Sequence, residues 1–267
     1  MKHRGAAALA LTIPCLSGLG YLVAFEAPTR FVVMNGTALV LALLWIAVGR
    51  IPAKGVPATA MCAILLLLLA IPLVTGPSLG GVRRWIPLGT ITLHAGTLAI
   101  PALTLLAARE RTFGFVILVV ATVLTMLQPD AASILAVAGG CIGLWFANRD
   151  WKAVVTAGFA LVAGAFALFS DDLPPQPFVE RVLADLAHTS PLVALALAAS
   201  LLVSFALIAR AMGTSGFALA GSLAGFSLAA LVDNYPSILI GYGAAPILGY
   251  GFALGLSPNP KETNEAK

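Results

Sequence analysis

The sequence predicts an all-α polytopic membrane protein on the strength of three observations. Of its 267 residues, 60% are hydrophobic and only 10% are charged, whereas soluble globular domains carry about 25% charged residues. Apolar stretches of roughly 17 to 25 residues, the length at which a helix crosses a bilayer, recur along the chain. Basic residues collect between alternate stretches, as expected from the charge bias of membrane proteins, which enriches Lys and Arg in the cytoplasmic loops. These observations exclude a water-soluble globular protein.

About ten apolar stretches are candidate transmembrane helices, several of them short. They lie near residues 6–25, 32–49, 57–75, 90–108, 113–128, 131–147, 153–169, 190–210, 214–232 and 236–256. The segments between them are too short for a soluble domain. We therefore expect a single transmembrane domain over residues 1–256 and a polar cytoplasmic tail over residues 257–267.

The distribution of charge predicts the orientation. With the N-terminus in the cytoplasm, ten spans place both termini inside and eleven of the 15 Lys and Arg residues on the cytoplasmic side. The four outside are Arg30, Arg83, Arg84 and Arg181. The first span follows a basic segment, yet we expect it to be a membrane anchor and not a cleaved leader. Its removal would put the basic loops on the wrong side.

Two classes of ligand are not expected. The net charge of +4 is not arranged as a basic stripe with interleaved aromatic residues, so the sequence does not indicate nucleic-acid binding. Cys15, Cys62 and Cys141 lie within apolar stretches and lack the spacing of zinc or iron–sulfur ligands. They are expected to be small core residues, and no metal site is predicted.

The outside loop between spans seven and eight contains an amphipathic pattern. From Phe178 to His188, apolar residues fall on one arc of a helical wheel and Glu180, Arg181 and Asp185 fall on the other. This pattern predicts a short interfacial helix. A purely structural alternative is that the helix lies at the surface with its charges solvated.

Two polar clusters interrupt the apolar sequence. Arg83 and Arg84 lie on the loop between spans three and four, against the charge bias, and arginine forks suit bidentate recognition of a diphosphate. Asp130 follows Pro129 at a helix junction. In the alternative interpretation, one arginine pairs with Asp130 to join the helix ends, and Asp130 caps the helix that follows it.

These clusters resemble motifs of a known family. The stretch G-V-R-R-W-I-P-L-G at residues 81–89 and the stretch Q-P-D-A-A-S at residues 128–133 are similar to signatures of the SEDS proteins. This is the shape, elongation, division and sporulation family of FtsW- and RodA-like membrane proteins. Residues 241–245, G-Y-G-A-A, resemble a third and weaker motif. The likeness covers nearly the whole chain, and the chain would be a short, divergent member.

The resemblance implies a glycosyltransferase that polymerises lipid II at the outer face of the bacterial cytoplasmic membrane, in cell division or cell shape. Its partner would be a single-span transpeptidase. Such an enzyme needs a carboxylate base and cations that stabilise the leaving diphosphate. Glu180 is the candidate catalytic residue. The expected contacts of the lipid-linked substrate are Arg83, Arg84, Trp85, Asp130 and Asp185. No resident cofactor is expected, although an active enzyme is compatible with a divalent cation.

The chain also departs from the family pattern. Pro177 stands where the family has its catalytic aspartate, and Thr97 and Ile100 replace a family acid and a lysine. Glu180, or else Asp171 or Asp172, would have to serve as the base.

Two interpretations therefore remain: a divergent transferase that binds a polyprenyl-diphosphate sugar, and a non-catalytic membrane subunit of an envelope complex. A coupled transporter is disfavoured, because the one titratable candidate within a span is His94. A lone histidine in that setting is more often a packing residue.

Overall fold

The structure, a computed structural model, describes residues 2–49, 56–89, 91–110, 112–169 and 173–256. Within these ranges the chain forms eleven helices and one antiparallel hairpin. The helices are α1 Lys2–Ala24, α2 Thr29–Val48, α3 Val56–Thr75, α4 Ala95–Arg109, α5 Gly114–Met126, α6 Ala131–Asn148, α7 Trp151–Leu168, α8 Val182–Thr189, α9 Pro191–Ala211, α10 Gly213–Val232 and α11 Ala244–Gly255. The hairpin strands are β1 Trp85–Leu88 and β2 Ile91–His94. The predicted tail over residues 257–267 lies outside the described residues.

The all-α polytopic class is confirmed. Seven helices, namely α1, α2, α3, α6, α7, α9 and α10, are long and apolar enough to cross a membrane. Three further apolar helices, α4, α5 and α11, are shorter, with 15, 13 and 12 residues. These ten helices correspond in order to the ten predicted spans. The short helix α8 falls in the predicted loop.

Two of the predicted spans are longer than the helices that form. Residues 91–94, at the start of the fourth span, pair with β1 as a strand, with Trp85 opposite His94. Residues 233–243, which include the start of the tenth span at residue 236, are irregular, and α11 begins only at Ala244. Apolar composition alone does not distinguish a membrane helix from an apolar hairpin or loop, which explains both differences.

The centre of the bundle is the crossing of α6 and α10. Gly139 and Gly221 face each other, and a Cβ atom on either glycine would overlap the backbone carbonyl of the other. Small residues at a crossing allow two membrane helices to approach closely. Large apolar side chains instead cover the outer surfaces of the bundle, among them Val74, Leu192 and Leu202. The three cysteines are buried, as their apolar surroundings predict.

The amphipathic helix is present, but it begins later than predicted. Phe178 and Arg181 have φ angles of +67° and +55°, so the residues before Val182 form a turn. The reason is tertiary hydrogen bonding: the N–H of Ser237 donates to the carbonyl of Val179 at 2.8 Å, and the N–H of Tyr242 donates to that of Phe178 at 2.7 Å. Helix α8 buries Val182 and Leu186, as its apolar arc predicts.

Candidate functional site

Three segments enclose one cavity at one end of the bundle. They are the hairpin with its flanking turns, residues 173–181 before α8, and residues 233–243 before α11. The cavity, hereafter the hairpin cavity, has a volume of about 500 Å³. Its lining combines apolar side chains with a few polar ones, as is common in ligand-binding sites. The residues that matter for its chemistry are Arg84, Trp85, His94, Glu180 and Tyr242.

A buried asparagine fixes one wall of the hairpin cavity. The Asn35 side chain in α2 donates to the carbonyl of Gly241 at 3.0 Å and accepts from the N–H of Gly243 at 3.0 Å. Asn35 is 2% exposed, and both backbone groups need partners where water is scarce. The Tyr242 ring between them stacks on Phe31 with ring centroids 3.7 Å apart. The irregular segment is thus held on α2.

Arg84 supplies the positive charge of the hairpin cavity. Arg84 is 1% exposed. Its guanidinium carbon lies 4.9 Å from the ring centroid of Trp85 and 5.2 Å from that of Tyr235. Aromatic faces attract a cation, by about 0.5 to 2 kcal/mol each according to desolvation. The two rings therefore hold the guanidinium at a defined place in the cavity wall.

Glu180 supplies a carboxylate to the same cavity. The N–H of Gln176 donates to Glu180 Oε2 at 2.8 Å, and the backbone of Glu180 forms an antiparallel bridge with Pro236. The side chain of Ser237, next along the chain, accepts from the N–H of Val182 at 2.9 Å and so supports the start of α8. Glu180 is half-buried, which suits a group that must meet both a ligand and solvent.

His94 lies in the cavity wall and forms a buried pair with Asp130 behind it. The Nδ1 atom of His94 accepts from the N–H of Thr97 at 3.3 Å, so His94 caps α4. In the neutral ring this bond leaves the proton on Nε2, which lies 3.7 Å from Asp130 Oδ2. The other oxygen of Asp130 accepts from the N–H of Ser133 at 3.2 Å and caps α6. The predicted capping role of Asp130 is thus observed.

Gly96 allows these two helix ends to approach. A Cβ atom at Gly96 would overlap Ser133 Oγ and lie 2.7 Å from Asp130 Oδ2, closer than real Cβ contacts. The group that faces Asp130 Oδ2 is the imidazole of His94 at the end of β2, 3.7 Å away, and the helix ends are joined through this pair. The alternative interpretation of the sequence gave Asp130 an arginine partner instead.

The other predicted site residues divide into two groups. Arg84, Trp85 and Glu180 line the hairpin cavity together, and Asp130 reaches it only through His94. The structure does not bring the remaining two to the cavity. Arg83 is exposed and donates to the carbonyl of Leu73 at 3.4 Å, whereas Asp185 is exposed on α8, 3.8 Å from Arg181. The alternative bases Asp171 and Asp172 lie outside the described residues.

Sequence reasoning passed over Asn35, and it treated His94 as a packing residue only. A signal for Asn35 was present, because a carboxamide inside an apolar span is costly unless it is hydrogen-bonded within the protein. His94 pairs with Trp85 across the hairpin, and that register becomes visible only once the fourth span is recognised as starting with a strand.

No metal site is evident in the described parts of the chain, where no three His, Cys, Asp or Glu residues cluster closely enough to hold an ion. The imidazole of His94 and the carboxylate of Glu180 lie in the cavity wall, and the carboxylate of Asp130 lies behind it.

Comparison with solved structures identifies the fold. No protein-family model and no curated protein sequence matches the chain. Solved structures do match. The rod shape determining protein RodA of Thermus thermophilus superposes with a TM-score of 0.69 at 20% identity, covering 95% of this chain and 94% of that one. The fold is that of RodA. The resemblance inferred from the motifs is therefore confirmed at the level of the fold.

Two further structures agree with this result. An aspartate-to-alanine mutant of the same RodA gives a TM-score of 0.68 at 20% identity, with 95% of each chain covered. The other is a chain of a peptidoglycan synthase complex that coordinates polymerization and crosslinking. It superposes with a TM-score of 0.63 at 22% identity. It covers 95% of this chain and 96% of the other. The RodA-like fold thus extends over the whole described bundle.

Proposed function

We propose that this chain is a SEDS-like cell-envelope protein of the bacterial cytoplasmic membrane that binds a polyprenyl-diphosphate-linked sugar, of the lipid II type, at the outer face. The observation that carries the proposal is that Arg84, Trp85 and Glu180 share the hairpin cavity. A diphosphate needs a cation, a sugar ring packs on an aromatic side chain, and a polyprenyl chain needs apolar surface. The cavity offers all three at one end of a membrane bundle.

Arg84 is the proposed diphosphate ligand. A guanidinium presents several N–H donors in a planar fork that matches phosphate oxygens. The rings of Trp85 and Tyr235 restrict its position, so less conformational entropy is lost when the ligand binds. Arg83, although adjacent in sequence, points to a carbonyl of α3 and serves as the natural control.

Glu180 is the proposed base if the protein polymerises glycan. A base must take the proton of the sugar hydroxyl as its oxygen attacks the anomeric carbon, while the C–O bond to the diphosphate breaks and the leaving group departs with both bonding electrons. Arg84 would stabilise the negative charge that develops on that leaving group. The hydrogen bond from Gln176 holds the carboxylate at the cavity wall. A divalent cation would enter with the diphosphate.

A non-catalytic role is the second candidate, and specific residues favour it. The resemblance puts Pro177 at the position of the family's catalytic aspartate, and Thr97 and Ile100 at those of an acid and a lysine. Thr97 and Ile100 are 1% and 0% exposed, and neither can transfer a proton at neutral pH. In this alternative the cavity retains lipid-linked sugar, or a partner, without polymerising it.

The proposed protein partner is a single-span transpeptidase. Support comes from the fold shared with a chain of a peptidoglycan synthase complex, in which polymerization and crosslinking are coordinated. A co-purifying transpeptidase is expected under either candidate function, so its presence does not discriminate between them.

The decisive experiment measures both binding and polymerisation of labelled lipid II by the purified protein in nanodiscs, alone and with a candidate transpeptidase. Glu180→Gln is paired with Asp185→Asn, a carboxylate outside the cavity. Arg84→Lys, which keeps the buried charge, is paired with Arg83→Lys. Thermal unfolding of each variant shows that it remains folded.

Three outcomes separate the possibilities. Polymer made by wild type and Asp185→Asn but not by Glu180→Gln establishes the transferase. Saturable binding that weakens in Arg84→Lys but not in Arg83→Lys, with no polymer from any form, establishes the non-catalytic binder. Absence of saturable binding by the folded wild type rejects the proposed ligand.

A further inference from the structure

A second cavity lies at the end of the bundle opposite the hairpin cavity. Helix α4 connects the two: His94 at its N-terminal end lines the hairpin cavity, and Glu110 at its C-terminal end lines the second one. The 15 residues of α4 separate the two sites by about 22 Å at 1.5 Å per residue. The second cavity has a volume of about 420 Å³ and lies between the ends of α4, α5, α6 and α7. We call it the Glu110 cavity.

The Glu110 cavity extends inward between the helices. On α6 its lining runs from Asn148 at the helix end to the buried Cys141, seven residues and roughly 10 Å along the helix. Its depth therefore suits a headgroup and its first linking atoms better than a surface-bound ion. Leu118 and Ala153 provide apolar parts of its wall.

Charges of both signs line its mouth. Glu110, Asp150 and Lys152 are all half-buried and all belong to the lining. Asp150 caps α7, because its Oδ1 accepts from the N–H of Lys152 at 3.0 Å, and Asn148 Oδ1 in turn accepts from the N–H of Asp150 at 3.0 Å. The Lys152 ammonium lies 5.2 Å from the Phe115 ring centroid. Among the described residues, no ion pair joins these three charged groups to one another.

Exposed aromatic residues surround this end of the bundle. Phe113, Phe146 and Trp151 are 64%, 58% and 68% exposed, and Phe115 at the cavity wall is 39% exposed. Aromatic side chains of this kind, tryptophan above all, mark the level of the lipid headgroups in membrane proteins. The mouth of the Glu110 cavity therefore opens where phospholipid headgroups lie.

We infer that the Glu110 cavity binds a phospholipid whose headgroup carries both a primary ammonium and a phosphate, as in phosphatidylethanolamine. The ammonium donates hydrogen bonds to Glu110 and Asp150, and the phosphate contacts Lys152. The three lining charges sum to −1, which disfavours an anionic headgroup that lacks an amine. A trimethylammonium group has no N–H to donate, so a choline headgroup fits less well. This inference does not depend on the function proposed for the hairpin cavity.

The test uses the full-length protein in nanodiscs of phosphatidylcholine with a defined fraction of phosphatidylethanolamine or phosphatidylglycerol. Bound lipid is counted by native mass spectrometry after mild delipidation, and the melting temperature is measured in each membrane. Glu110→Gln and Lys152→Gln are compared with Glu26→Gln and Arg210→Gln. These controls neutralise exposed charges that do not line the cavity. Soluble glycerophosphoethanolamine is added in a parallel arm.

We expect the wild type to retain phosphatidylethanolamine over the other two lipids. Retention should fall about tenfold in Glu110→Gln and in Lys152→Gln, the size expected for one lost charged hydrogen bond, and stay unchanged in the controls. Stabilisation by the soluble headgroup alone would show that the cavity recognises the headgroup without the acyl chains. Equal retention of the three lipids, or equal loss in cavity and control variants that melt like wild type in phosphatidylcholine, would overturn the inference.

Discussion

His94 and Asp130 cap different helices and face each other, with His94 Nε2 3.7 Å from Asp130 Oδ2. Through this pair the last residue of the hairpin contacts the first turn of α6, so the wall of the hairpin cavity and the central helix of the bundle are coupled. Both residues are buried, at 7% and 0% exposure. The attraction between two buried polar groups at this distance is strengthened by the low local dielectric and favours one arrangement of the elements that carry them.

A double-mutant cycle should measure this coupling. His94→Asn keeps an acceptor for the Thr97 N–H, and Asp130→Asn keeps one for the Ser133 N–H, so each variant preserves its cap and removes the contact between them. We expect a coupling free energy of about 0.5 to 3 kcal/mol for unfolding in mixed micelles.

The exposed pair of Arg181 and Asp185, 3.8 Å apart at the N-terminal end of α8, is the matched control. Arg181→Gln with Asp185→Asn should give a coupling of only about 0.3 to 0.5 kcal/mol, the size typical of exposed pairs four residues apart on a helix. Equal couplings in the two cycles would contradict the structural role given to the buried pair.

The crossing of α6 and α10 should depend on Gly139. Alanine normally stabilises a helix relative to glycine, by about 1 kcal/mol, but a Cβ here meets the backbone of Gly221. We therefore expect Gly139→Ala to destabilise the protein by about 1 to 3 kcal/mol, the range for overpacking. Gly158→Ala on α7, where a Cβ has open space, should leave the melting temperature unchanged or raise it. A similar rise in melting temperature in both variants would contradict a close approach of α6 and α10 at Gly139.

The order of the membrane helices could be predicted from composition because burial in lipid leaves long apolar runs. The irregular backbone between α10 and α11 could not be predicted in this way. Residues 236–243 adjoin a long apolar run and so join the predicted tenth span, yet the hydrogen bonds of this segment go to the turn at Phe178 and Val179 and to Asn35. Such partners are distant in sequence and invisible to a window of local hydropathy.

For the candidate site, the sequence showed which residue types are available but not which side chains enter the cavity. Arg83 and Arg84 are equivalent as sequence, but one is exposed and the other is 1% exposed between two rings. The tight turn that precedes β1 orients them differently, with Gly80 and Gly81 at φ angles of +56° and +88°. A pattern identifies which residue types are available, whereas the turn geometry decides which one enters the cavity.

The Asn35 clamp should control the wall of the hairpin cavity. Asn35→Leu is close in shape and removes both hydrogen bonds, leaving the Gly241 carbonyl and the Gly243 N–H without that partner. An unsatisfied buried group costs about 1 to 3 kcal/mol, so we expect a lower melting temperature and faster amide exchange over residues 241–243. Thr37→Val on the exposed face of α2 is the control. Unchanged exchange in Asn35→Leu would show that the segment is held by other contacts, such as the stacking of Tyr242 on Phe31.

The orientation of the bundle can be tested with single cysteines at its two ends. Gln176 lies on the cavity side and Thr112 between α4 and α5, and both are exposed. The charge bias places the first outside and the second in the cytoplasm. In intact cells a membrane-impermeant maleimide should therefore label Gln176→Cys, while Thr112→Cys should react only after permeabilisation.

The native cysteines provide the background for this experiment. Cys15, Cys62 and Cys141 are buried, so the unmodified chain should remain unlabelled in intact cells, and after permeabilisation it measures any labelling of Cys141 through the Glu110 cavity. The reverse pattern, with Thr112→Cys labelled in intact cells, would leave the fold intact but turn the hairpin cavity toward the cytoplasm. A glycan polymerase must release its product outside the membrane, so that result would reject the proposed function at the outer face. It would also place the Glu110 cavity in the outer leaflet, where the lipid test would have to be interpreted against that leaflet's composition.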